Sequence, residues 1–278
     1  MTMRAPLASF VLVYVVLFAS TSNALSYLRA NGQTETYTLI QQVFGGQSSA
    51  VEVPDCNHTS FGPHITQVHD PTLDSFVFAF HSHIRQDDDR CVKFDRQRTE
   101  IKTNDDLPSD ELTGHLGDHL TLSWDFKLDS EFQPPYSFCH IHQLKAVGGD
   151  DSMPIITLTP RRSHPANVIQ LIHMDSFGAF RILELEPLEP WLGQWVHVVS
   201  NVTLGNEGRY TFEATRKSDG APLMSFQSND IDMWRNATDF IRPKWGIYRS
   251  VQEAVVSRDE VVLFHDFCVS KGYDSICP

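Results

Sequence analysis

Three short segments of this 278-residue chain carry side chains that could bind an anionic ligand and transfer protons. In the first, residues 96–102 (Arg-Gln-Arg-Thr-Glu-Ile-Lys), the charged residues Arg96, Arg98, Glu100 and Lys102 occupy alternate positions. Alternate side chains of a β-strand share one face. Four charges on one face are typical of an exposed sheet surface, but a groove for a charged polymer needs them too.

The second segment, residues 138–145 (Phe-Cys-His-Ile-His-Gln-Leu-Lys), combines two imidazoles with an amide and an amine. Alternation places His140 and His142 on one face of a strand. By the same parity Gln143 and Lys145 would face the core, unless a β-bulge re-aims them, as happens near active sites. The segment predicts either a polar outer face or one wall of a binding site.

The third segment is residues 242–249 (Arg-Pro-Lys-Trp-Gly-Ile-Tyr-Arg), in which Lys244, Gly246 and Tyr248 would share a face. The glycine leaves room for a ligand to approach. Cations, imidazoles, an amide and a phenol on one sheet face would form a groove suited to a polymeric carboxylate.

The elements that must position these segments are predicted to be strands. A composition of 41% hydrophobic and 21% charged residues can form a full core, which excludes a disordered chain. Period-2 alternation separated by turn residues predicts about eleven strands in an all-β sandwich or jelly roll, as one domain. Short helices are predicted over residues 36–43 and near residues 230–238. The alternating runs are residues 76–81, 119–128, 137–145, 155–159, 168–173, 179–184, 195–202, 208–215, 223–226, 245–248 and 261–267.

The beginning of the chain predicts export. Arg4 precedes the apolar run 10–18, and small residues follow as far as Ala24. This order is typical of a secretory signal peptide over residues 1–24, because the apolar run is shorter than the roughly 20 residues of a membrane span. The mature domain would be residues 25–278, secreted and extracellular. Three sequons predict glycans on surface loops, at Asn57, Asn201 and Asn236.

Five cysteines cannot all pair within one chain. Cys268 and Cys277 bracket a short polar tail and are the first choice for a disulfide. Cys56 with Cys91 is the next choice. Cys139 would then be a buried free thiol.

The charge balance narrows the class of partner. With 22 Lys and Arg against 35 Asp and Glu, the net charge is −13, which disfavours general binding to nucleic acid or anionic membranes. Six cations of the three segments nevertheless predict one locally basic cleft in an acidic exterior. These cations are Arg96, Arg98, Lys102, Lys145, Lys244 and Arg249.

The three segments resemble motifs of the alginate-lyase superfamily of polysaccharide lyases, in the family's order. Residues 98–102 look like its Arg-Thr-Glu-hydrophobic-Arg strand, 140–142 stand in the place of Gln-Ile-His, and 244–248 match Lys-x-Gly-x-Tyr. The forms His-Ile-His-Gln-Leu-Lys and Lys-Trp-Gly-Ile-Tyr-Arg look closer to polysaccharide lyase family 20, the glucuronan lyases. The resemblance spans roughly residues 76–267 and implies a concanavalin-like β-jelly roll of two antiparallel sheets.

The resemblance implies β-elimination on a uronic-acid polymer, which leaves unsaturated oligouronides. Arg98 with Gln143 or His140 would neutralise the substrate carboxylate by charge-assisted hydrogen bonds. His142 or Tyr248 would be the general base, and Tyr248 the acid. A tyrosine of ordinary pKa, about 10, is a poor base unless nearby cations favour its ionised form.

The register of the histidine strand stays open at this point. If His142 is the family's histidine, then His140 stands at its glutamine position; alternatively Gln143 supplies the amide and the register is shifted. Glu100 would orient Arg98. We expect a monomer that acts on an anionic polysaccharide and requires no cofactor. The other cations would bind neighbouring parts of the substrate: Arg96, Lys102, Lys145, Lys244 and Arg249.

Three rival functions also fit parts of the sequence. The pairs His81-Ser-His83 and His140-Ile-His142 could bind a transition metal as in cupins, although the second cupin motif is missing, so no metal ligands are predicted. Asp87-Asp-Asp89 could bind a structural calcium ion or form a solvated acidic loop. The acids of residues 184–189 could serve a jelly-roll glycoside hydrolase. An intact groove could also belong to a non-catalytic carbohydrate-binding module.

Overall fold

The computed structural model describes residues 24–45, 50–103, 109–252, 258–272 and 277. Apart from Ala24, the predicted signal peptide lies outside these residues. The described part contains one α-helix, α1 (Thr36–Phe44), and fifteen strands. The strands are β1 (Ala24–Leu28), β2 (Val51–Glu52), β3 (Ile65–Asp70), β4 (Ser75–Ser82), β5 (Arg96–Lys102), β6 (His119–Leu128), β7 (Cys139–Val147), β8 (Ile156–Arg161), β9 (Val168–Met174), β10 (Phe180–Pro187), β11 (Trp195–Thr203), β12 (Gly208–Arg216), β13 (Pro222–Ile231), β14 (Phe240–Ser250) and β15 (Glu260–Lys271).

The strands form two antiparallel sheets. The first has the order β13-β12-β11-β6-β15-β4-β3, and β1 also pairs with β15. The second has the order β10-β9-β8-β7-β14-β5-β2. Neither sheet closes on itself, so the molecule is a two-sheet sandwich. The predicted β-jelly roll is confirmed.

The core lies between the two sheets and is rich in aromatic side chains. Trp124 of β6 meets Trp245 of β14, Phe126 of β6 packs against Phe264 of β15, and all four are fully buried. Fully burying one large apolar side chain contributes about 1.5–3 kcal/mol. Inner-face residues alternate with outward-facing ones along each strand. The core residues of β14 therefore alternate with residues on its outer face, where polar groups can lie.

All eleven alternating runs are strands, and residues 96–102 form β5. The strands β1, β2 and β3 were not predicted. The helix predicted over residues 36–43 is present as α1, whose first turn is capped by the Glu35 carboxylate through the amides of Tyr37 and Thr38. Among the described residues no helix is long and apolar enough to span a membrane.

The helix predicted near residues 230–238 is wrong. Strand β13 continues to Ile231, and residues 232–239 form a connecting loop. The Asp232 carboxylate accepts hydrogen bonds from the amides of Ser176 and Trp234, which ties this loop to a neighbouring turn. Such local side-chain bonds compete with helix formation.

The cysteines pair as expected. Disulfides join Cys56 to Cys91 and Cys268 to Cys277, and Cys139 is a buried free thiol. Two sequons lie on exposed loops, at Asn57 and Asn236. The third does not: Asn201 lies within β11, where its amide donates to Thr211 Oγ1 at 3.0 Å. The loop position expected for it is therefore wrong.

Candidate active site

The fold brings the three chemistry-bearing segments together as adjacent strands of the second sheet. Strand β14 lies between β5 and β7, and its pairing with β5 is regular. Tyr248 lies opposite Arg98, Gly246 opposite Glu100, and Lys244 opposite Lys102. Alternation therefore places these side chains on one outer face, as the sequence predicted.

A register shift between β14 and β7 decides which residues of β7 reach that face. Tyr248 pairs with His140, but Trp245 pairs with His142, so two residues of β14 lie opposite Ile141 alone. This is the geometry of a β-bulge, which changes the parity of the strand. Gln143 consequently faces the outer side opposite Lys244, together with His140. Of the two alternatives for the histidine strand, the structure has the shifted register, in which Gln143 reaches the outer face.

His142 points into the core. Its side chain has no exposed surface, and its ring centroid lies 4.3 Å from that of Trp124 and 5.5 Å from that of Trp245. Its Nδ1 lies 3.0 Å from the Lys244 carbonyl, and burial lowers its pKa to about 3. The general-base role predicted for His142 therefore has no geometric support.

The outer face forms a cleft of about 350 Å³. A smaller hollow of about 110 Å³ shares four residues of its wall, so the cleft continues across β8 and β9. A groove of this form suits a chain-like ligand. The cleft is lined by Lys93, Arg96, Arg98, Phe138, His140, Gln143, Lys145, Asp151, Ser152, Met153, Pro154 and Tyr248.

Tyr248 is held by two guanidinium groups. Arg96 Nη1 donates to its hydroxyl oxygen at 2.9 Å, and Arg98 Cζ lies 3.7 Å from the centre of its ring. Phe138 packs at 4.9 Å between ring centroids. A cation over an aromatic face and a charged donor at its oxygen both stabilise negative charge on the phenol. The arrangement therefore suits a tyrosine that exchanges a proton.

Three carboxylates accept hydrogen bonds from Arg98. It donates to Asp89 at 2.9 and 3.2 Å, to Glu100 at 2.6 Å and to Glu52 at 3.3 Å. These bonds use four of the five N–H donors of a guanidinium. The orienting position expected for Glu100 is present. Much of the Arg98 charge is already compensated, so the cleft is less basic than the sequence predicted.

Glu52 organises the cations beneath the cleft. Its carboxylate lies 2.5 Å from Lys244 Nζ, 2.7 Å from Arg90 Nη1 and 3.5 Å from Lys102 Nζ. Lys102 and Lys244 are each 2% exposed and do not line the cleft. The substrate-binding roles predicted for these two lysines are therefore wrong, because both are enclosed in an ion-pair network under the site.

Arg249 lies on the opposite side of its strand. It is fully buried, and its Nε donates to Gln97 Oε1 at 2.8 Å. One step along a strand reverses the face, so Arg249 points away from Tyr248 and cannot bind a ligand in the cleft. Of the five predicted substrate-binding cations, only Arg96 and Lys145 line the cleft within the described residues.

His140 and Gln143 supply neutral polar groups to the cleft. His140 Nδ1 lies 2.8 Å from Thr159 Oγ1, and burial, with the charges of Arg161 and Arg98, lowers the pKa of this histidine to about 3. Gln143 Nε2 donates to Glu100 Oε1. An amide nitrogen has two N–H donors. The bond to Glu100 uses one of them and fixes the orientation of the planar amide group, which also fixes the direction of the second donor.

Gly246 allows β14 to pass close to β5. Its φ is +147°, and a Cβ atom there would lie 2.7 Å from the Cα of Glu100 and nearer still to the Thr99 carbonyl oxygen. We expect Gly246→Ala to lower the free energy of unfolding by about 3 kcal/mol, because both the backbone conformation and the contact with the neighbouring strand are strained. Urea denaturation measures this loss.

The matched control for that substitution is Gly220→Ala. Gly220 also has a positive φ, +70°, but a Cβ atom there would meet nothing within 4 Å. Its loss should be about 1 kcal/mol, the cost of the conformation alone. Equal losses for the two variants would contradict the close approach of the two strands.

The structure does not support the two rival sites, a cupin-like metal site and a hydrolase site. His81 lies on β4 of the first sheet and His140 on β7 of the second, so the two His-x-His pairs do not form one cupin-like site. Glu184 and Glu186 lie on the edge strand β10, and neither lines the cleft. These two glutamates therefore do not line the cleft that contains Tyr248.

Two carboxylates of the site, Glu52 and Asp89, were not predicted from the sequence to have a role there. Glu52 belongs to a two-residue strand, which has no alternation to detect. Asp89 was assigned to a possible calcium loop, whereas its carboxylate binds Arg98. The excess of cations in the three segments was an available signal, because buried cations require carboxylate partners.

Several solved structures share this arrangement of sheets. An endo-β-1,4-glucuronan lyase from the fungus Trichoderma reesei matches with a TM-score of 0.52 and 14% identity, over 74% of this chain and 85% of that chain. A variant of alginate lyase Aly36B in complex with alginate trisaccharide matches with a TM-score of 0.57 and 9% identity, over 90% and 99%. The marine PL-14 alginate lyase from Aplysia kurodai matches with a TM-score of 0.53 and 11% identity, over 91% and 98%.

These neighbours are polysaccharide lyases. At 9–14% identity the likeness establishes a common fold. No protein-family model matches the sequence, and no curated protein matches it. The chemistry of this chain must accordingly be argued from its own cleft.

Proposed function

We propose that this protein is a secreted polysaccharide lyase that cleaves a uronic-acid polymer of the glucuronan type by β-elimination. The observation that carries the proposal is Tyr248, whose hydroxyl opens on an elongated cleft while Arg96 and Arg98 contact its oxygen and ring. The glucuronan lyase and alginate lyases of the same fold support the substrate class. Two disulfides suit an oxidising extracellular environment.

The first requirement of the reaction is neutralisation of the substrate carboxylate. A lyase removes the weakly acidic proton on the carbon beside this carboxylate, and the carboxylate's charge opposes the carbanion-like intermediate. Gln143 and His140 border the cleft next to Tyr248 and offer uncharged polar groups. Arg98 adds positive charge beneath them. Donors aimed at the developing charge in a partly enclosed site are effective catalysts.

The second requirement is removal of the proton beside the carboxylate and delivery of a proton to the leaving oxygen on the next carbon. In the proposed reaction Tyr248 enters as the phenolate, with Arg96 at its oxygen and Arg98 at its ring, and becomes the hydroxyl as it takes the proton beside the carboxylate. The same hydroxyl then gives this proton to the 4-linked leaving oxygen, whose bond to carbon breaks as the double bond forms. The balance closes with one unsaturated end and one new hydroxyl group.

Lys145 makes substrate binding dependent on pH. Burial lowers the pKa of Lys145 to about 8, against the opposing charge of Asp151. The amine is a cation below pH 8 and is neutral above it, so its attraction to a polyuronate is lost as the pH rises. We expect KM for the polymer to increase by about fivefold between pH 7 and pH 9, the size of one exposed ion pair.

The control for this prediction is Lys145→Arg, which stays charged across the range because a guanidinium does not deprotonate. Its KM should change little between pH 7 and pH 9. Steady-state kinetics on one polyuronate measure both proteins. An equal pH dependence of KM in the two would show that another group controls binding.

The experiment that tests the proposed function is a screen of the secreted protein against polyuronates, including glucuronan and alginate. Elimination creates a conjugated double bond that absorbs ultraviolet light, whereas hydrolysis creates none. We expect absorbance to rise with glucuronan. Reducing ends without absorbance would indicate a hydrolase, and polymer binding without new ends would indicate a carbohydrate-binding module.

A further inference from the structure

Three histidine rings converge on one carboxylate outside the cleft, in the loops between β2 and β3 and between β4 and β5. His58 Nδ1 lies 2.7 Å and His64 Nε2 3.0 Å from Asp87 Oδ1, and His83 Nδ1 lies 2.9 Å from Asp87 Oδ2. One ligand atom from each of the four residues lies within 4.8 Å of all the others. This arrangement is unrelated to the proposed elimination chemistry.

We propose that His58, His64, His83 and Asp87 form a structural Zn²⁺ site. Zinc takes four ligands in a tetrahedron, with imidazole nitrogens and carboxylate oxygens about 2.0–2.2 Å from the metal. Tetrahedral ligands at that radius are about 3.4 Å apart, so the four atoms need to move by roughly 1 Å. Three nitrogens and one oxygen from separate side chains complete the coordination.

Asp55 orients one of these ligands. The Nδ1 atom of His64 lies 2.6 Å from Asp55 Oδ1, and the Tyr37 hydroxyl donates to Asp55 Oδ2 at 2.7 Å. A metal-bound histidine almost always directs its other ring nitrogen to a carboxylate or carbonyl group. With Nδ1 held by Asp55, the Nε2 atom of His64 faces Asp87 and the metal position.

The site is enclosed. His64 and the Asp87 side chain are 0% and 1% exposed, and the side chains of His58 and His83 are 12% and 17% exposed. The ring of Phe61 covers the histidines, with its centroid 4.2 Å from His83. Four protein ligands under a cover are typical of a structural zinc site, since a catalytic site keeps one position open.

The donor set selects the class of metal. Imidazole nitrogens suit zinc and its transition-metal neighbours, whereas calcium and magnesium require oxygen ligands. A calcium ion at residues 87–89, the alternative to a solvated acidic loop, would need the three carboxylates to converge. Instead Asp88 accepts from the Asn57 amide at 2.8 Å, and Asp89 binds Arg98.

The metal would also steady the cleft. Asp87 and Asp89 are two residues apart in one loop, and the disulfide between Cys56 and Cys91 joins that loop to the loop of His58. Asp89 holds Arg98 under Tyr248. A metal bound to Asp87 would therefore restrain the loop that carries Asp89. Zinc is therefore expected to raise the melting temperature.

The test begins with the full mature chain after chelation and dialysis. Titration with Zn²⁺, followed by calorimetry, is expected to show one ion per chain and a higher melting temperature. His58→Gln should weaken Zn²⁺ binding by about 100-fold or more. His69→Gln is the matched control, because His69 is a half-exposed histidine on β3 whose Nε2 lies 3.3 Å from Asp74 Oδ1, away from the four proposed ligands. The Zn²⁺ affinity of this variant should equal that of the wild type.

A second measurement uses the wild-type chain alone and does not depend on the folding of a variant. Co²⁺ in place of Zn²⁺ should give the intense visible absorption of a tetrahedral ion. A wild-type chain that binds no Zn²⁺, an octahedral Co²⁺ spectrum, or equal affinity in a folded His58→Gln variant would overturn the proposal. The four side chains would then be a hydrogen-bonded cluster only.

Discussion

Tyr248→Phe is expected to lower kcat on a polyuronate by about 10⁴-fold, the upper end of what one acid–base group contributes. In the proposed reaction this hydroxyl both takes and returns the proton, so its removal affects both steps. The phenyl ring keeps the packing against Phe138 and the face presented to Arg98. Polymer affinity should therefore remain, and the absorbance assay with a separate binding measurement should show loss of turnover alone.

Tyr27→Phe is the matched control for this prediction. Tyr27 lies on β1 of the other sheet, and its hydroxyl also accepts a hydrogen bond from an arginine, Arg29, at 2.6 Å. Its removal should leave kcat unchanged. If Tyr248→Phe kept more than about a tenth of wild-type turnover, the hydroxyl would not be the proton carrier.

Glu52→Gln is expected to lower the free energy of unfolding by about 3–5 kcal/mol, the usual result of breaking a buried ion pair on one side. Burial opposes ionisation of Glu52, but Lys244, Arg98, Lys102 and Arg90 hold its pKa well below the usual range. The amide cannot balance four cations that are themselves mostly enclosed. For a chain of this size the melting temperature should fall by about 10 °C.

The same carboxylate makes stability depend on pH. Because its pKa is lowered on folding, its contribution is present above the unfolded value of about 4.3 and is lost as the pH falls through and below that value. The difference between wild type and Glu52→Gln should thus shrink below pH 4. Glu213→Gln, an exposed change on β12, is the control. Equal urea midpoints for the two variants would contradict this role.

The fold could be predicted to a large extent because its signal is local. In long strands such as β6 and β11, apolar residues occupy alternate positions over most of the strand. Helix α1 likewise begins at a local contact, because the Glu35 carboxylate accepts from the amides of Tyr37 and Thr38. The strand β2 and the loop at residues 232–239 escaped prediction, because pairing partners far along the chain determine them.

The candidate site was predicted in part. Parity along β5 and β14 correctly grouped Arg98, Glu100, Gly246 and Tyr248, since both strands are regular there. Parity failed on β7, because the register shift opposite Ile141 turns His142 inward. A single sequence contains no record of that shift, which arises from how β14 packs against β7.

By itself, the sequence determined the all-β class and the three strands that carry the chemistry, because periodicity and residue type are local properties. Only the tertiary structure decided which side chains reach the cleft. It brought Gln143 to the outer face and enclosed Lys102 and Lys244 with Glu52. Register and burial are set by contacts between residues about fifty to two hundred positions apart, as in the pairs of Glu52 with Arg98 and Lys244, and these contacts leave no periodic trace in the chain.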